Sequence, residues 1–142
     1  LVSRQGLPVL EGSRDDLGRG GYVVQEGKDA SKLDGILIAT GSEVSLACEA
    51  ANRLAEQGKS VRVVSMPCWK LFEGQDDAYR ESVLPAATTR RVSVEAGTTV
   101  GWHRYASAQV GIDTFGASAP GKQVAEYFGF TVENVIATFE RA

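Results

Sequence analysis

The chain has 142 residues, 43% of them hydrophobic and 23% charged, with a formal net charge of −3. This is the length of one domain and the composition of an ordinary globular protein. The acidic balance leaves no basic face for nucleic acid, and no apolar run approaches the about 20 residues of a membrane helix. His103 is the only histidine, and the two cysteines, Cys48 and Cys68, lack metal-ligand spacing, which argues against zinc. Isolated cysteines of this kind act as small packing groups and suit a reducing cytosol, so a cytoplasmic setting is expected. No signal peptide is visible at the start. The chain opens on Leu1 and carries its single methionine at Met66, which reads as a segment cut from a longer polypeptide.

Residues 1–21 read as irregular, punctuated by Gly6, Pro8, Gly12, Gly18, Gly20 and Gly21. Tyr22–Gln25 is a short strand candidate. Ile36–Thr40 is continuously apolar up to Thr40, as a strand buried on both faces should be. About ten residues join the two, too few for a parallel crossover. The expectation is therefore that Tyr22–Gln25 runs antiparallel to Ile36–Thr40 at or near a sheet edge. Gly41-Ser42 opens a helix that Ser42 is placed to cap, with Glu43 in the first turn where the helix dipole favours a negative charge. Val44, Ala47, Cys48, Ala51, Leu54 and Ala55 recur at helical spacing, and Gly58 ends the helix. Val61–Met66 is the next strand, stopped by Pro67. Strand, helix and strand make a right-handed βαβ unit.

Trp69–Phe72 begins a short helical turn, and Asp76-Asp77 heads another helix that ends at Leu84-Pro85. Arg91–Glu95 is a further strand. Gly101–Ser107 reads as a short helix and Val110–Phe115 as a last short strand. Pro120 starts a helix that stops at Gly129, and Thr131 caps the final one, with Val132, Val135, Ile136 and Phe139 on its buried face. The fold class is α/β: an open three-layer domain with a mostly parallel sheet and one antiparallel strand, filling residues 1–142.

Several residues invite a chemical reading. The Gly41-Ser42 turn offers unpaired backbone N–H groups to an anion. It lacks the spaced glycines of a dinucleotide site and the lysine of a phosphate loop, and Glu43 would repel a phosphate, so a tight capped turn is the simpler reading. Glu95 follows a strand at its carboxyl end, where open α/β sheets place ligands. It offers an acid, a base or a hydroxyl acceptor, with a structural role favoured. His103, beside Trp102, has no nucleophile or carboxylate partner in the sequence and reads as a surface or packing residue. Ser42 and Ser118 lack the Gly-x-Ser-x-Gly setting of a hydrolase elbow. Asp76-Asp77 reads as a charge cluster at a helix start. Arg4 carries a permanent forked cation suited to phosphate, although by sequence alone an exposed arginine is the plainer reading.

Eight segments in order carry a resemblance to a known family: Ser3-Arg4-Gln5, Gly20–Val23, Ala39–Val44, Arg62–Pro67, Tyr79–Pro85, Val94–Gly97, Phe115–Pro120 and Phe128–Thr131. Each is weak alone. Together they resemble the C-terminal domain of transketolases over essentially the whole chain. The resemblance implies a three-domain homodimeric parent that binds thiamine diphosphate and a divalent metal, Mg2+ or Ca2+, on its other two domains. Such a parent moves a two-carbon ketol unit from a ketose phosphate to an aldose phosphate. It also implies that Arg4 helps bind the sugar's terminal phosphate. The diphosphate-binding Gly-Asp-Gly segment and the activating glutamate are missing here, so this segment is expected to be non-catalytic alone, with no catalytic, cofactor-binding or metal-binding residue of its own. Its implied partners are the other domains, a second copy in the dimer and sugar phosphates, with neither nucleic acid nor membrane. The same domain of dihydroxyacetone synthase, or a regulatory module that binds a nucleotide or metabolite, is the alternative.

Overall fold

The computed structural model describes residues 6–10 and 16–142. Among these residues five strands form one sheet: β1 (Tyr22–Gln25), β2 (Gly35–Ala39), β3 (Val61–Ser65), β4 (Arg91–Val94) and β5 (Ala108–Val110), in the spatial order β1-β3-β2-β4-β5. The pairs β2–β3, β2–β4 and β4–β5 are parallel, and β1–β3 is antiparallel. The helices are α1 (Glu43–Glu56), α2 (Trp69–Glu73), α3 (Asp77–Val83), α4 (Gly121–Tyr127) and α5 (Val132–Arg141), with 3-10 turns at Leu17–Arg19 and Trp102–Arg104. No helix among the described residues is long and apolar enough to cross a membrane.

The three layers follow from the two-residue period of the strands. Leu37, Ala39, Val61, Val63, Val92 and Val94 point to one face, where α1 and α5 cover them through Val44, Ala47, Leu54, Val135 and Phe139. Ile36, Ile38, Val64 and Met66 point to the other, against Phe72, Val83, Leu84, Trp102 and Tyr105. Burying one such aliphatic or aromatic side chain is worth about 1.5–3 kcal/mol, so these two clusters supply the main drive to fold. The close fit is visible at Gly35, where a Cβ would lie 2.4 Å from the Phe139 ring. Only glycine lets α5 sit that near the sheet.

Four expectations need correction. The partner of β1 is β3, not β2. The segment between β1 and β2 folds back at the amino end of β3. There Asp34 N donates to Ser60 O at 2.7 Å, Ser60 N to Asp34 Oδ2 at 2.7 Å and Asp29 N to Ser60 Oγ at 2.9 Å. That anchorage carries the chain past one strand position, into which β3 is inserted by the α1 crossover. Ser42 does not cap α1 with its side chain; its hydroxyl donates to Glu43 Oε1 at 2.6 Å. The last strand is Ala108–Val110, and 111–120 leaves the sheet as a loop with Phe115 99% exposed. Asp113 turns back to bind Thr98 and Thr99, so the ladder cannot continue. Gly101–Ser107 is a single 3-10 turn rather than a longer helix.

Within the stretch read as irregular, Leu17–Arg19 forms a 3-10 turn; the remaining elements stand within a residue or two of their sequence reading. Gly58 closes α1 with φ +84°, and Thr131 Oγ1 caps α5 by accepting from Asn134 N at 3.2 Å. Asp76 caps α3, accepting from Tyr79 N at 2.8 Å. Both cysteines are free and half-buried, and burial raises the Cys48 thiol pKa.

Candidate site at the carboxyl edge of the sheet

The chain leaves β2 through α1 to reach β3 on one side, and later returns past β2 to place β4 on the other. Strand order thus reverses between β2 and β4, and the crevice beyond their carboxyl ends is where open α/β sheets bind ligands. Here a cleft of about 450 Å³ opens, lined by Thr40 after β2, Met66 and Pro67 after β3, Glu95 after β4, and the indoles of Trp69 and Trp102.

Among the described residues Glu95 is its one ionisable lining group. Its Oε2 is buried and has no hydrogen-bond partner among the described residues. Burial, and secondarily the nearby Glu43 carboxylate, push the Glu95 pKa up to about 7. The two glutamates come from the start of α1 and the end of β4, brought together by the reversal of strand order.

The cleft has a stiff rim. Asp113 accepts from Thr99 N at 2.8 Å, from Thr99 Oγ1 at 2.7 Å and from Thr98 Oγ1 at 3.0 Å. These bonds hold the Asp113 carboxyl below the usual range. Gly97 N donates to Glu95 O at 2.8 Å, and Ile112 N to Gly97 O at 2.7 Å. The two indoles meet edge to face, with ring centroids 5.0 Å apart and planes at 86°. Gly101, at φ +90°, lets the backbone touch Trp69, where a Cβ would come within 2.6 Å of the ring.

The structure sorts the residues singled out in the sequence. Glu95 and Trp102 share the cleft, while Gly41 and Ser42 stand at the turn beside it. His103 is exposed and is not among the lining residues. Ser118 lies on the exposed 111–120 loop, and Asp76 is occupied as a helix cap. Asp77 pairs with Arg80. Arg4 lies outside the described residues. Sequence reasoning missed Glu43 as a neighbour of Glu95, and Trp69 as a wall; the available signal was that both follow the carboxyl ends of parallel strands. The described residues hold no group of three or more His, Cys, Asp and Glu side chains able to take a metal ion.

The family described as the transketolase-like C-terminal domain matches residues 20–131. The transketolase of Nostoc sp. is 52% identical over 139 residues, covering 95% of this chain and 20% of that protein. The chloroplastic transketolase of Zea mays is 49% identical over 140 residues, covering 96% of this chain and 21% of that protein. Among solved structures, the transketolase of Leishmania mexicana superposes with a TM-score of 0.82 at 46% identity, over 89% of this chain and 18% of that one. A Pichia stipitis transketolase complex with sedoheptulose-7-phosphate gives 0.88 at 40% identity, over 97% of this chain and 20% of that one. The chain spans about a fifth of the length of these relatives.

Proposed function

This chain belongs to the transketolase C-terminal domain family, and from that premise we propose that it serves as the third domain of a thiamine-diphosphate-dependent transketolase. The whole protein would transfer a two-carbon ketol unit from a ketose phosphate to an aldose phosphate, as a cytoplasmic homodimer. The observation that carries this reading is the family match over residues 20–131, with about half identity to transketolases of which the chain is one fifth.

In that enzyme the domain acts by positioning. Thiamine diphosphate would supply the carbanion chemistry, but the donor set here does not fit it. The Gly-Asp-Gly segment is absent from the sequence, and the described residues offer no metal-ligating cluster. No step through the cofactor is therefore assigned to this chain. Its contributions are packing in the dimer and Arg4, whose forked guanidinium suits a sugar's terminal phosphate. The solved relative complexed with sedoheptulose-7-phosphate supports a phosphorylated ligand for the family.

The test is Arg4→Ala in a transketolase polypeptide carrying this domain. Loss of one charge-assisted contact is expected to cost about 1.5–3 kcal/mol in kcat/KM for phosphorylated acceptors. Unphosphorylated acceptors should be unaffected. An equal loss for both would overturn the assignment.

A further inference from the structure

The function proposed above gives the cleft around Glu95 no task, yet the cleft is electrostatically incomplete. A buried carboxylate oxygen without a donor costs free energy, and native structures seldom leave one unexplained. Glu95 Oε2 is such an oxygen, and the adjacent Glu43 adds a like charge without adding a donor. Among the described residues no Lys or Arg lines the cleft. An anion there would meet Glu95, with the charge of Glu43 nearby. A metal ion would find too few ligands, because Glu43 Oε1 is engaged by the Ser42 hydroxyl and the remaining walls are mostly apolar. A neutral donor would fill the hydrogen bond but leave the repulsion between the glutamates in place. An organic cation answers both deficits.

The walls select among cations. Trp69 and Trp102 meet at 86° and form an aromatic corner, with Trp69 held in place by Gly101. A planar guanidinium stacks on an indole face while its edge donates two parallel bonds to a carboxylate. A rotation about the last torsion of Glu95, which is soft, presents both oxygens to such a fork. We propose that the cleft at the strand-order reversal is a guanidinium socket, with Glu95 as the forked acceptor and the half-buried Trp69 indole, backed edge to face by the buried Trp102, as the stacking wall. The head group belongs either to a free guanidino compound or to an arginine of a polypeptide packed on this edge of the sheet.

Trp69 and Trp102 are the only tryptophans in the chain, so intrinsic fluorescence reports on the socket directly. The chain is titrated at pH 8 with methylguanidine, with N-acetyl-arginine methylamide and with the isosteric neutral N-acetyl-citrulline methylamide. The arginine amide is expected to give a saturable change, with citrulline weaker by about tenfold or more. Glu95→Gln should weaken the arginine amide by a similar factor. Glu43→Gln, which keeps the acceptor, should retain the preference for arginine over citrulline. Circular dichroism confirms that both variants are folded. Methylguanidine binding as well as the amide identifies a free guanidino compound; binding by the amide alone identifies a polypeptide arginine. Absence of a saturable signal from either cation, equal binding of citrulline, or indifference to Glu95→Gln overturns the proposal.

Discussion

Arg62 of β3 grips Glu26 with both prongs of its guanidinium, Nε to Oε1 at 2.8 Å and Nη2 to Oε2 at 3.0 Å. Its remaining arm donates to Ser82 O at 2.6 Å and Val83 O at 3.0 Å, at the end of α3. One side chain, 6% exposed, thus ties the exit of β1 and the end of α3 to the interior strand β3.

Arg62→Ala would leave the buried Val83 carbonyl, the part-buried Ser82 carbonyl and the Glu26 carboxylate without their donor. Water screens the half-open Glu26 end of the pair, so the domain is expected to lose about 1–3 kcal/mol in urea unfolding. Arg62→Lys should recover only a minor part of this, since an ammonium cannot serve both the fork and the carbonyls. Full recovery by lysine would show that charge alone matters.

Glu95 predicts a pH dependence in ligand-free buffer. Its carboxyl titrates near 7 in the folded state, against a reference value of 4.5. Between those values the folded protein holds a proton that the unfolded chain has released. Stability should therefore fall as pH rises through that window and level off above it. The carboxyl is partly open to water, so the fall is on the order of 1 kcal/mol. Glu95→Gln should remove this slope, making the variant the more stable protein at pH 8 and nearly equal to wild type at pH 4.5. Urea midpoints across the range check it.

Gly101→Ala places a Cβ against the Trp69 ring, at a φ of +90° that disfavours side chains. A cost of about 1–3 kcal/mol is expected, with a shift in tryptophan emission as the aromatic corner opens. An unchanged spectrum would mean that the ring moves freely.

Thr131→Ala removes the acceptor for Asn134 N at the start of α5. About 1 kcal/mol should be lost in thermal or urea unfolding, and Thr131→Asp should restore most of it.

Local signals made much of this fold legible. The apolar runs around Ile36–Ala39, Val61–Ser65 and Arg91–Val94 are strands because nothing else buries so continuous a run on both faces. The spacing of Val44, Ala47, Ala51 and Leu54 marks α1 as clearly. Strand adjacency is not local: Tyr22–Gln25 reads the same beside β2 or β3, and the Asp29–Ser60–Asp34 knot that decides it joins residues distant in sequence. The Val110–Phe115 reading failed similarly, because Asp113 answers to Thr98 and Thr99 rather than to the ladder. At the candidate site, Glu95 was visible as a residue ending a parallel strand. Its pairing with Glu43 and the indole corner arise from topology, which periodicity does not encode.

At the outer margin of the sheet, β1 is four residues long and pairs Tyr22 with Ser65, Val23 with Val64 and Gln25 with Val63, leaving Val24 as an unmatched residue. Such a bulge skews the free edge out of the geometry that another strand needs to dock. The opposite margin, β5, is only three residues long before the chain departs. Neither border offers a template for sheet-to-sheet growth, so crowding these domains together should not nucleate fibrils from the native state.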